Sequence, residues 1–283
     1  MSTRSLHYVF KIANRQKTID FYTKTLGMKI LRHEEFEKGC EATCNGPFDG
    51  CWSKTMIGYG NEDDHFVIEL TYNYPIHQYD QGNHFKAIII DSDEIYNKVL
   101  EIPHEKTKNC GRLRVSDPDG HSFKIRKGEG TKISNVQIHV SNLEKSTEYY
   151  RDILGMSTIS QTSTSTKLTF SAAENQCILE LSKLEKPINR GNAFGRIAFS
   201  YPGSKLLELQ GKVKSSGFTI INEMITLQTP GKADVQVVIL ADPDNHEICF
   251  VGDEGFRDLS KVDPKATELL EKHMKTDDSE KWY

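Results

Sequence analysis

Two carboxylates stand where a folded chain resists them. Glu69 interrupts the apolar run Val67-Ile68-Glu69-Leu70, and Glu180 does the same in Leu179-Glu180-Leu181. An ionised carboxylate is costly to bury unless it faces a cavity, a cation or a metal, so Glu69 is expected to point into a ligand concavity and Glu180 into a second pocket. Glu247 and Cys249 are two residues apart in Glu247-Ile248-Cys249-Phe250, a spacing that puts both on one face of a strand. The Cys249 thiol reads first as a buried structural group and second as a metal ligand or nucleophile. Cys40, Cys44 and Cys51, with His33 nearby, have the ligand types of a zinc site without the spacing of a finger, and the stretch reads as an extended loop. Pro230-Gly231-Lys232 reads as a turn whose lysine could reach a ligand carboxylate. Nothing resembles a phosphate loop or a serine hydrolase elbow.

The elements that must position these residues come in duplicate. The stretch from Asn14 to Met28, with Phe21-Tyr22 and Leu26-Gly27-Met28, reappears from Asn142 to Met156, with Tyr149-Tyr150 and Leu154-Gly155-Met156, at a constant shift. Each copy predicts a helix entered through Asn, apolar at steps of three and four (Ile19, Tyr22, Leu26), and closed by a left-handed Gly27 or Gly155. Strands are expected before each helix (Leu6 to Ala13; Val136 to Ser141) and after it (Lys54 to Gly58 and Phe66 to Tyr72; Lys167 to Ser171 and Cys177 to Ser182), giving two βαβββ units. A second echo, Asp117-Pro118-Asp119-Gly120-His121 and Asp242-Pro243-Asp244-Asn245-His246, reads as a tight turn with positive φ and no chemistry. Upstream of each lie a strand (Ala87 to Ile90; Arg196 to Ser200) and a helix (Ser92 to Leu100; Ser204 to Ser216). The fold class is therefore α+β, with four βαβββ-type modules at about 4–74, 84–127, 131–183 and 192–252. Two tandem domains are expected, 1–127 and 131–253, then a charged, amphipathic, helical tail, 254–283.

At this point the residues resemble a known family. Leu6-His7-Tyr8-Val9-Phe10-Lys11-Ile12, Phe21-Tyr22, Leu26-Gly27-Met28, Gly58-Tyr59-Gly60 and Ile68-Glu69-Leu70-Thr71-Tyr72-Asn73 are similar, in order and spacing, to the first module of glyoxalase I. The likeness to the vicinal oxygen chelate (glyoxalase/bleomycin resistance/dioxygenase) superfamily extends over nearly the whole chain at module level. It implies curved, partly open sheets and a divalent metal in a concave face, zinc, nickel or cobalt by ligand type. It also implies a glyoxalase I-like lyase acting in methylglyoxal detoxification, with glutathione as co-substrate in a hemithioacetal. There a cation on adjacent oxygens stabilises the enediolate formed when a carboxylate removes the C–H proton.

Carried over by position, the resemblance makes His7 and Glu69 two metal ligands and Lys11 and Asn73 binders of the glutathione part. The other two ligand positions depart from the family. They are Arg196 and Cys249 if the first module faces the fourth, or Ala87 and Lys124 if it faces the second; the third module offers Asn135 and Glu180. In the first arrangement Cys249 is a candidate metal ligand, Glu247 a displaced base, and Arg196 an anion binder or the partner of Glu69 in an ion pair. A protein that binds a glutathione-like or other small anionic metabolite, or a protein partner, without turnover is the alternative expectation.

Composition bounds the partners. The 283 residues carry 40 acidic and 36 basic side chains, a formal charge of −4, so no broad basic surface for nucleic acid or anionic membrane is expected. The six scattered cysteines read as reduced thiols. Met1 to Lys17 has four basic residues and no acidic one, but the same residues are needed for the first strand. The expectation is cytoplasmic, with mitochondrial import as the alternative.

Overall fold

The computed structural model describes residues 3–107, 111–171, 173, 176–229 and 231–282. Met1 and Pro230, named above, and Cys110, one of the six cysteines, lie outside them. In the first module β1 (Ser5–Ile12) leads to α1 (Arg15–Asp20), then β2 (Lys29–Phe36), β3 (Trp52–Gly58) and β4 (Val67–Asn73). The second holds β5 (Phe85–Ser92), α2 (Asp93–Val99), β6 (Glu105–Lys106), β7 (Leu113–Ser116) and β8 (Ser122–Arg126). The third holds β9 (Thr131–Val140), α3 (Leu143–Glu148), β10 (Ser157–Gln161), β11 (Ser165–Thr169) and β12 (Ile178–Lys183). The fourth holds β13 (Arg196–Tyr201), α4 (Leu206–Ser215), β14 (Ile220–Leu227), β15 (Val235–Ala241) and β16 (Glu247–Gly252).

Both repeated helices start as the sequence suggests. The Asn14 and Asn142 side chains accept from the backbone N–H of Lys17 and Lys145, each at 2.9 Å. Each then widens into a π turn, in which Leu26 N–H bonds Phe21 O and Leu154 N–H bonds Tyr149 O at 3.1 Å. Gly27 and Gly155 close them at φ 67° and 85°.

The strands form two eight-stranded sheets, in the orders β14-β15-β16-β13-β1-β4-β3-β2 and β10-β11-β12-β9-β5-β8-β7-β6. Each sheet draws on both sides of residues 128–131: the first module joins the fourth, with His7 opposite Ala198, and the second joins the third, with Ala87 opposite Gln137. Of the two arrangements left open by the sequence, the first is therefore the one present. Strand alternation sends Tyr8, Phe10, Ile12, Ile68 and Leu70 into one apolar core that runs through all four modules. His7, Lys11, Glu69 and Asn73 consequently share the opposite face.

The two Asp-Pro-Asp turns are more than turns. Asp117 Oδ1 accepts from the backbone N–H of Asp119 (3.0 Å) and His121 (2.8 Å), while Oδ2 takes the Tyr22 hydroxyl at 3.0 Å. Asp119 accepts from Ala13 N–H (2.8 Å) and the Thr18 hydroxyl (3.0 Å). The second copy repeats this: Asp242 takes the N–H of Asp244 and His246 and the Tyr150 hydroxyl at 3.2 Å, and Asp244 takes Ser141 N–H at 2.9 Å. Burial and the facing carboxylates hold both phenols well above the ordinary tyrosine value, so each stays a donor.

Residues 254–283, expected as one charged helix, form most of α5 (Asp253–Leu259), then α6 (Ala266–Thr276) and a 3₁₀ turn (Ser279–Trp282). This segment is docked through buried Leu270 and a 3.0 Å bond between the Tyr72 and Ser279 hydroxyls.

Tyr22→Phe and Tyr150→Phe are each expected to lower stability by about 1 kcal/mol, and the double variant by about the sum. Asp117→Ala leaves the phenol and two backbone donors without partners and should cost several times as much. Urea midpoints check this, and an unshifted midpoint for Asp117→Ala would show that the turn fastens nothing.

Candidate ligand cleft on the first sheet

On the face opposite the shared core His7 Nε2 lies 3.5 Å from Glu69 Oε2, and Thr71 donates its hydroxyl to Glu69 Oε1 at 3.2 Å. The other ring nitrogen of His7 is 3.0 Å from Glu62 Oε1, and Arg32 Nη2 reaches Glu62 Oε2 at 2.8 Å. Burial pushes the Glu62 carboxyl up, but Arg32 and His7 outweigh it and hold it below the usual carboxylate range. The row continues through Glu34, 3.2 Å from Arg32 and 3.3 Å from Lys232. Lys232 thus ends this row already paired.

Arg196 and Glu247 face each other as register partners on neighbouring parallel strands. Glu247 Oε2 accepts from Arg196 Nη2 at 2.6 Å and Nε at 3.2 Å, and Oε1 accepts from Arg190 Nη2 at 3.2 Å. The sequence suggested Glu69 as the partner of Arg196. Register corrects this: Glu247 is one strand away, whereas β1 separates Arg196 from Glu69. With both oxygens occupied by arginines, Glu247 is not placed as the free base expected of it. Burial pushes the Cys249 thiol up to about 11, against the pull of Arg196.

The segment between β2 and β3 covers this face. Arg196 donates to the carbonyls of Ala42 (2.9 Å) and Thr43 (3.1 Å). Asn73, expected to bind glutathione, instead exchanges bonds with Asn45, Asn45 Nδ2 to Asn73 Oδ1 at 2.9 Å and Asn73 Nδ2 to Asn45 O at 3.0 Å. Gly46 passes so close that a Cβ there would sit 2.8 Å from Lys11 Cε. Lys11 itself donates to the Phe194 carbonyl and lies 4.4 Å above the Phe194 ring. Its burial lowers the ammonium pKa to about 7. Cys40 and Cys44, read as reduced thiols, are joined in this segment and pack against the small apolar cluster that contains Ala198. Cys51, Cys177 and Cys249 are free.

The family's divalent metal does not fit the residues at its position. Cys249 does not close a three-ligand group with His7 and Glu69. Among the described residues, the one set of three ligand atoms within 4.8 Å of one another is His33, Glu35 and His273, on the sheet's other face. The third position carries a guanidinium, Arg196, whose three nitrogens all already donate to Glu247, Ala42 or Thr43. The corresponding face of the second sheet is no substitute: Lys124 donates to Gln137 at 2.7 Å, Asn135 to Glu180 at 3.4 Å, and Lys86 to Ser182 at 2.9 Å. Ala87 brings no donor there.

Residues 4–125 match the model of the Glyoxalase/Bleomycin resistance protein/Dioxygenase superfamily, and 142–259 that of the glyoxalase domain-containing protein 4-like C-terminal domain. The chain is 61% identical over 283 residues, 100% of both chains, to "Glyoxalase 1" of Caenorhabditis elegans. It belongs to the glyoxalase superfamily. Within that superfamily it is also 47% identical to mouse glyoxalase domain-containing protein 4, over 99% of this chain and 95% of that one. Glyoxalase I of Zea mays has the same fold, at TM-score 0.75 and 24% identity over 90% of this chain and 94% of that one.

Glu62, Arg32 and Arg190 were missed from the sequence. Glu62 sits in the polar run Asn61-Glu62-Asp63-Asp64, where an acid reads as solvated, and Arg190 in a linker-like stretch. Only the Arg32-x-Glu34 alternation was a usable signal.

Lys11 offers a test of this buried polar face. Its folded ammonium titrates near 7 against 10.5 ordinarily, so the folded state holds fewer protons across that interval. Stability contributed by this group therefore rises as pH climbs from about 7 towards about 10.5. Lys11→Met should flatten that rise in urea midpoints, whereas parallel pH profiles for the two proteins would show that Lys11 is not desolvated.

Proposed function

We propose that this protein acts in the removal of reactive dicarbonyls, as a glyoxalase I-like lyase on the glutathione hemithioacetal of methylglyoxal. The observation that carries the reading is the buried His7–Glu69 pair at 3.5 Å, at the positions the family resemblance assigns, in a chain with full-length relatives named Glyoxalase 1. The reaction moves a proton between adjacent carbons, which requires a base at the C–H and positive charge near the oxygens. Glu69 is the carboxylate available as base, with His7 and Thr71 orienting its two oxygens. Lys11 and Arg196 are the cations facing a glutathione-sized anion once residues 42–46 give way.

A second reading, binding of a glutathione-like anion without turnover, is favoured by one observation. The Arg196–Glu247 pair and the covering segment already bond to each other and to Asn73 on this face.

The experiment is lactoylglutathione formation by the purified protein, alone and with zinc, nickel or cobalt, alongside S-alkylglutathione binding. The lyase reading expects turnover, reduced about 100-fold or more by Glu69→Gln with binding retained. Saturable binding with no turnover under any ion moves the conclusion to the second reading, and absence of both rejects the two together.

A further inference from the structure

β2 alternates. Arg32 and Glu34 face the cleft, so His33 and Glu35 face the other way, beneath α6, which brings His273 to them. We propose that His33, Glu35 and His273 form a divalent-metal site of the zinc class that pins the C-terminal helix to the edge of the first sheet.

The distances suit such an ion. His33 Nε2 is 3.0 Å from Glu35 Oε1, His273 Nδ1 is 3.6 Å from the same oxygen, and all three atoms fall within 4.8 Å. Ligands bound at about 2.0–2.1 Å around a tetrahedral ion stand about 3.3 Å apart. The far sides of the ligands are already fixed. Thr55 Oγ1 lies 2.8 Å from His33 Nδ1, and a proton on that nitrogen leaves the Nε2 lone pair directed at the site. Tyr74 donates to Glu35 Oε2 at 2.8 Å, which leaves Oε1 as the ligand oxygen.

The third ligand atom lacks a hydrogen bond. His273 Nδ1 is buried without a hydrogen bond, an arrangement that costs free energy and that a bound cation would remove. Arg15 also touches Glu35 Oε1, at 3.0 Å, so the carboxylate bridges guanidinium and ion. The Arg15 charge is shared with Asp277 at 2.6 Å, which leaves Glu35 anionic character for the metal. Two imidazoles and one carboxylate favour zinc, cobalt or nickel over calcium or magnesium. The ligands lie at opposite ends of the chain, so the ion's role is to hold α6 in place.

The test uses the full chain, stripped with chelator and dialysed against zinc, with metal per chain measured by mass spectrometry and unfolding followed by heat. One zinc per chain is expected in the natural protein and in His7→Ala. His273→Ala and His33→Ala should weaken binding about tenfold or more and abolish the rise in Tm on adding zinc. His273→Gln, which keeps a polar side chain on the helix, serves if the alanine loosens α6. Cobalt substitution should give a spectrum without intense thiolate bands. The proposal is overturned if the natural protein binds no zinc saturably, if His273 variants bind it unchanged, or if His7→Ala removes it. None of these readouts depends on lactoylglutathione formation, so the result stands apart from the lyase reading.

Discussion

The hydrogen bond between a helix tyrosine and a turn aspartate crosses from one of this molecule's two sheets to the other, over an apolar core that both share. Tyr22 belongs to the first module and Asp117 to the second, and those modules lie in different sheets. Tyr150 and Asp242 repeat the link from the third module to the fourth, in the reverse direction between the same sheets. Backbone pairing thus joins modules one way and side chains join them the other. A buried phenol facing a carboxylate is expensive to leave unmade, so both copies fix how the modules meet around the apolar core they share.

The cleft inherits its composition from this cross-pairing. Because β1 lies between β4 and β13, residues of the first module meet residues nearly two hundred positions later, and the face mixes His7 and Glu69 with Arg196, Glu247 and Cys249. The charges pair locally along rows: His7 with Glu62 and Arg32 on one side, Arg196 with Glu247 and Arg190 on the other. At one of the positions where the resemblance implies a metal ligand, this chain carries a fixed cation, Arg196, held by Glu247. A guanidinium fixed in this way needs no deprotonated ligands around it, consistent with a protonated Cys249.

Much of the fold could be read from local signals. Asn14 and Asn142 cap their helices, Gly27 and Gly155 end them, and the alternation around Glu69 set its face, because each depends on a few neighbouring residues. What the chain's local pattern could not show depends on register between distant strands. The partner of Arg196 follows from its position opposite Glu247, and the fate of Asn73 from a loop that folds back over it. β2 was overlooked because its run Leu31-Arg32-His33-Glu34-Glu35 is polar on both faces, one toward the cleft and one toward α6. The Asp-Pro-Asp turns were read correctly as backbone and incompletely as chemistry, since nothing near them in sequence announces a tyrosine about ninety residues earlier.

The strand order also has a consequence in time. As the chain is made, β5, β8, β9 and β12 can assemble the middle of the second sheet from contiguous residues, while β1 waits for β13 with one edge unpaired. An open strand edge is a template for pairing with other chains until its own partner arrives. β1 carries Arg4 immediately before it and Lys11 near its end, and positive charge on a waiting edge discourages such pairing. The buried lysine that is costly in the finished protein is, for the length of that wait, a solvated guard on the strand.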